Sequence, residues 1–161
     1  MPVEYVDAPS MTADNSYDFG DGLVAAHRHL NHNGARGGWV AKTAYAAPTV
    51  YVGEFAQVFG NARLIENAEV AKYGKAFGYA VMSGNALVTD YAMVFGYAKL
   101  SENAIISDKA KALGHCHITN AVEVYENAHI FGKVTLSGNV KVCGDARVNG
   151  AMEIYGDAKI F

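Results

Sequence analysis

Only two cysteines, three prolines and one tryptophan occur in the 161 residues, and nowhere do 18 apolar residues run together. The absence of a long apolar run argues against a membrane span. Cys116 and Cys143 are too few for a disulfide-stapled scaffold or a zinc site at the usual ligand spacings. Charge of either sign is sparse as well. A net charge of −3 gives no electrostatic footprint for a nucleic-acid partner and no acidic mimic of one. The opening segment MPVEYVDAPSMTADNS has neither the basic start nor the apolar middle of a secretory leader. The expectation is a cytoplasmic protein with no membrane contact and no nucleic-acid partner. A hydrophobic fraction of 51% is ordinary for a folded domain and argues against disorder.

The sequence is rich instead in a six-residue period. From Val40 the chain divides without insertion into hexads such as VFGNAR, LIENAE, MSGNAL and VFGYAK, with the consensus V-x-G-N-A-x. The first hexad position is apolar in all 21 cases from Val40 to Ile160. The fifth is mostly alanine, with Val50, Gly74, Cys116, Val122, Val134, Val140 and Met152 as the exceptions. Inward residues therefore recur at intervals of two and then four, whereas a helix needs three and four. Two fits a short strand; four fits a strand followed by a corner. Gly-Asn, Glu-Asn, Gly-Asp and Gly-Tyr at the third and fourth positions tolerate the positive φ that such a corner demands.

Columns appear when the chain is wound at 18 residues, or three hexads, per coil. The second position then reads Phe59, Phe77, Phe95, Leu113, Phe131, and the next reads Gly60, Gly78, Gly96, Gly114, Gly132, Gly150. Another side reads Asn67, Asn85, Asn103, Ala121, Asn139, a pattern suited to stacked amides. The expected fold is all-β, a single-stranded parallel β-helix over residues 39–161. Residues 1–38 break the period and are expected to form an irregular N-terminal cap, with Val3, Tyr5, Val6, Phe19, Leu23 and Val24 as its apolar contacts.

An aliphatic residue with a small residue two places before it, repeated as GNA-x-V, resembles the hexapeptide-repeat superfamily of left-handed parallel β-helices. In style it is most similar to YdcK-like and phage-associated β-helix proteins. The resemblance implies a left-handed coil and trimerisation about an axis parallel to it. It also implies two kinds of chemistry found in such proteins, acyl transfer with a histidine base at a subunit boundary and metal binding by three histidines. Glycine here sits two places after the aliphatic residue instead of directly after it, and the hexads carry no inserted loop and no following helix. These departures point away from the enzymes.

The outward positions supply the candidate sites. Phe59, Phe77, Phe95, Leu113 and Phe131, flanked by Val81, Tyr79 and Tyr97, are expected to form an apolar stripe that docks a protein. Ile160 and Phe161 are expected to make an end contact. Glu54, Asp90, Asp108 and Glu126, interrupted by Lys72 and near Lys75, Lys111 and Arg147, read as a solvated, charge-balanced face. Ser83, Ser101, Thr119 and Ser137 align without the paired threonine ranks of an ice-binding surface. His115 and His117, in GHCH, are placed on the phenylalanine side and His129 on another; His117 or His115 is the candidate base should acyl transfer occur. His27, His29 and His32 are weak metal candidates, and in an extended segment His27 and His29 would face the same way. The simpler role for that segment is to satisfy the open backbone of the first coil. Cys116 is expected inside and Cys143 outside. Together these features point to a non-catalytic scaffold or protein-binding module without a cofactor, a homo-oligomer (trimer or end-to-end dimer) or a phage-encoded factor that meets a host or virion protein.

Overall fold

The computed structural model describes residues 15–161. Val3, Tyr5 and Val6 lie outside the described residues. The described chain is all β, without a helix, and its strands stack every 18 residues into a parallel β-solenoid of about seven turns with three walls. The first wall is a nine-stranded sheet. It begins with the antiparallel strands β1 (Ser16–Asp18), β2 (Leu23–Leu30) and β3 (Arg36–Ala41). From β3 onward its strands run parallel: Gln57–Val58, Lys75–Ala76, Met93–Val94, Lys111–Ala112, His129–Ile130 and Arg147–Val148. The second wall runs from Tyr45–Ala46 to Ala151–Ile154 and the third from Tyr51–Val52 to Lys159–Ile160, with seven strands each.

The inward pattern follows from a period of two within each short strand. First-position residues such as Leu64, Met82, Leu100 and Ile118 are fully buried, and fifth-position alanines fill the narrow space beside them. Ala44, Ala46, Ala146, Ile154, Ala158 and Ile160 are only partly buried, and Met152 is exposed, because the outer coils have a neighbour on one side alone. Each register partner is 18 residues away, as in Met82 with Leu100 and Leu100 with Ile118. Hydrogen bonds from strand and corner amides to the next coil then tie the stack along its axis.

Corners follow one rule. Every third-position residue from Gly60 to Gly156 has positive φ, including Glu66, Lys72, Asp90, Glu102, Asp108, Asn120 and Glu126 at 53° to 59°. A side chain in this left-handed region costs about 1–2 kcal/mol relative to glycine. Several of these residues offset that cost through the coil above. Glu66 accepts from the Gly84 amide, Asp108 from Glu126 at 2.9 Å, Asn120 from Gly138 at 3.2 Å, and Glu126 from Gly144. Acids and asparagine thus recur at strained corners because their oxygens reach the next corner's N–H.

The cap departs from expectation in two ways. Leu23 and Val24 are 75% and 47% exposed, so they do not seal the first coil. Phe19 instead extends the outward phenylalanine column, stacking on Phe59 at 4.7 Å. The sealing falls to polar groups. His29 and Asn31 are buried, with His29 Nε2 at 2.8 Å from the Val50 carbonyl. The Asn31 amide both donates to the Val52 carbonyl at 3.0 Å and accepts from the Val52 amide at 2.9 Å. One side chain here supplies the donor and acceptor that a missing strand would have offered.

Candidate functional site

The second-position column forms as a continuous stack. Phe59, Phe77 and Phe95 lie 4.7 and 4.6 Å apart with planes within 5° of parallel, and Leu113 and Phe131 continue the column. All five point out of the core yet are half-buried, because each ring covers the faces of its neighbours. The column spans roughly 20 Å at about 4.8 Å per coil. Across the glycine corner stand Tyr79 and Tyr97, 53% and 51% exposed, and His115, stacked in turn at 4.9 and 4.8 Å. Val81 is half-buried on the second wall beside them. On this edge the residue below each corner amide is glycine, so no side chain covers the backbone between the two ring columns.

A second aromatic column was not among the sequence candidates. Phe55, Tyr73 and Tyr91 stack at 5.3 and 5.1 Å on the edge between the third and first walls, each roughly half exposed. Its signal was the same spacing of 18, at the fourth hexad position. Below it a cleft of about 320 Å³ is bordered by Tyr17, Trp39 and Arg28, with Trp39 stacked on Tyr17 and the Arg28 guanidinium 5.6 Å above the Trp39 ring. The first wall is therefore bordered on both sides by aromatic columns.

The charged face resolves into two adjoining columns, with Lys72 standing among the acids. Asp90, Asp108 and Glu126 line the third edge, whereas Lys75, Lys111, His129 and Arg147 lie on the first wall. Only Lys72 with Asp90, at 2.6 Å, and Lys141 with Glu123, at 3.4 Å, form ion pairs among the described residues. The Lys72 hydrogen bond holds Asp90 below the usual carboxylate range, while Lys72 itself is raised by the same contact.

The histidines do not converge. His115 is on the phenylalanine edge, but His117 lies on the second wall, exposed and 3.5 Å from Ser101 Oγ, and His129 is on the first wall two residues before Phe131. The expected sides of His117 and His129 are thus reversed, since Ile130 and Phe131 continue the same strand and corner. Neither His115 nor His117 lines the cleft at Tyr17, Trp39 and Arg28. His27 and His29 do not face the same way: a bulge between Arg28 and Leu30 leaves His27 exposed and turns His29 inward. His32 is exposed in the turn beyond. Among the described residues no group of three or more histidine, cysteine or acidic side chains is placed to hold a metal.

Cys116 is buried, and burial pushes its thiol up to about 12. Cys143 is buried too, at 6%, which corrects its expected outward placement. It sits in register with Tyr125 below and Phe161 above, and the larger side chains shield the smaller one. Both thiols are free. Ile160 is partly buried and Phe161 is 86% exposed, with Lys159 Nζ 5.9 Å from its ring.

Burial is the main cause that lowers the His29 pKa below 6.5; the bond to Val50 opposes it and His27 adds to it. His129 is lowered by burial first and then by Lys111 and Arg147. Folded values below the unfolded ones mean that the unfolded chain binds more protons as pH falls through that window. Stability is therefore expected to be level above about pH 6.5 and to decline below it. Urea midpoints across this range check the sign, and His29→Gln should flatten part of the slope. A midpoint that rises on acidification would contradict it.

Compared with protein-family models, curated proteins and solved structures, the chain matches none. No helix among the described residues is long and apolar enough to cross a membrane.

Proposed function

We propose that this chain is a non-catalytic β-solenoid scaffold that binds protein, by self-association or by docking a partner, through the first wall and its aromatic edge. The observation that carries the reading is the pre-stacked column Phe59, Phe77, Phe95, continued by Phe19 below. Its rings are held by their neighbours before any partner arrives, so little side-chain freedom is lost on contact. Tyr79 and Tyr97 add exposed aromatic area of the kind that dominates binding energy at interfaces. A cytoplasmic setting, kinship with the left-handed hexapeptide-repeat superfamily and a phage-encoded factor meeting a host or virion protein belong to the same proposal; the GNA-x-V repeat supports the kinship.

Replacing both Phe77 and Phe95 by aspartate tests the reading. The wild type is expected to associate in sedimentation velocity runs, and the double variant to weaken that association by at least ~10-fold while keeping its far-ultraviolet spectrum. A monomeric wild type, with the double variant unchanged in solubility and mass, rules the wall out as an interface. The rival reading is a trimeric acyltransferase-like enzyme with His117 or His115 as base. Acyl transfer by the wild type that His117→Ala abolishes would replace the scaffold by that enzyme.

A further inference from the structure

The charged columns carry information beyond the aromatic edge. Lys111, His129 and Arg147 occupy successive coils of the first wall and are direct register partners. Lys111 and Arg147 flank His129 from the strands on either side, and with burial they hold its imidazole toward the neutral form. None of the three forms an ion pair among the described residues. The third edge holds the reverse arrangement, Asp90, Asp108 and Glu126 in three successive coils. Asp108 and Glu126 each spend one oxygen on the amide above and leave the other without a hydrogen bond among the described residues. Both columns share the coil rise, about 4.8 Å.

We propose that the acidic third edge of a second copy of this chain docks on the basic column of the first wall, so that self-association is face to edge. The inference rests on the first wall being the docking surface. With the copies displaced by one coil, Asp90 meets Lys111, Asp108 meets His129, and Glu126 meets Arg147. Continuing downward, Glu54 meets Lys75 and Lys72 meets the neutral Met93, so no like charges oppose within these two columns. The exposed Phe55, Tyr73, Tyr91 column borders the acidic edge and is carried toward the wall with it. A single-stranded nucleic acid fits the wall less well. The stacked rings have no free faces for bases, and the bordering carboxylates repel phosphates. Face and edge are different surfaces, so the contact is heterologous and leaves an open edge on one copy and an open face on the other.

Two variants separate the halves of the contact. Lys111→Glu with Arg147→Glu spoils the face and keeps the edge. Asp108→Asn with Glu126→Gln neutralises the edge, keeps the face, and retains oxygens for the corner amides. Each alone should weaken self-association by at least ~10-fold in sedimentation velocity experiments, and added salt should weaken the wild type. Mixed in equal amounts, they should recover a 1:1 dimer, because one supplies an intact edge and the other an intact face. Circular dichroism of each variant confirms the fold. Should neither pair affect association while Phe77→Asp with Phe95→Asp abolishes it, the face-to-edge contact is wrong and the aromatic docking surface stands. A wild type that stays monomeric overturns both. Should the wild type instead bind an oligodeoxynucleotide without self-associating, and Lys111→Glu with Arg147→Glu end that binding, the wall belongs to nucleic acid.

Discussion

Leu100→Ala lowers the stability of the solenoid by about 2–5 kcal/mol, measured as the shift in the urea unfolding curve. Leu100 is 1% exposed and is clasped in register between Met82 and Ile118, each itself fully buried. Its removal leaves a void that three short walls, tied coil to coil by hydrogen bonds, have little freedom to fill. In a stacked repeat, stability is a sum of coils and their contacts, so a defect in a middle coil weakens two interfaces at once. Ile154→Ala, at the same hexad position in the last coil and only partly buried, should cost less. Equal losses at the two sites would mean that position along the stack does not matter.

The second large effect is expected at the cap. Asn31→Ala removes both partners of Val52 and leaves a buried donor and a buried acceptor unpaired. Each such group costs about 1–3 kcal/mol, so a loss of roughly 2–6 kcal/mol is expected from denaturation. Hydrogen exchange should also quicken at Val52 before it changes at Val124, four strands further along the third wall. Uniform acceleration along the chain would show that the cap acts on the whole stack and not on its first coil.

The repeated part of the fold was legible because a triangular coil forces an arithmetic onto the sequence. Val40 and its successors must be apolar, the residue two places earlier must be small, and Phe59, Phe77 and Phe95 must align once the period is 18. Nothing in that arithmetic reaches the cap. His29 and Asn31 look like surface residues by type, and only the bulge after Arg28 turns His29 inward. Cys143 was misplaced for a related reason: alternation gives the direction of a side chain, whereas its burial depends on Tyr125 and Phe161 above and below. The site was legible in its columns and not in their grouping. The phenylalanine stripe followed from spacing, but Phe55, Tyr73 and Tyr91 became visible as a second border only when the edges were set around the first wall. The segregation of Lys111, His129 and Arg147 from Asp108 and Glu126 likewise depends on which side of a corner each residue falls.

The corner acids and Asn120 also give the stack a direction. Glu66, Asp108, Asn120 and Glu126 all reach toward the coil that follows them in the chain, to Gly84, Glu126, Gly138 and Gly144. A newly arriving turn meets an oxygen already waiting for its most awkward N–H, while a turn added from the opposite end must bring its own. Extension from the capped end is thus templated and extension toward it is not, so the order in which the amino acids are joined during synthesis is the order in which the prism is easiest to wind.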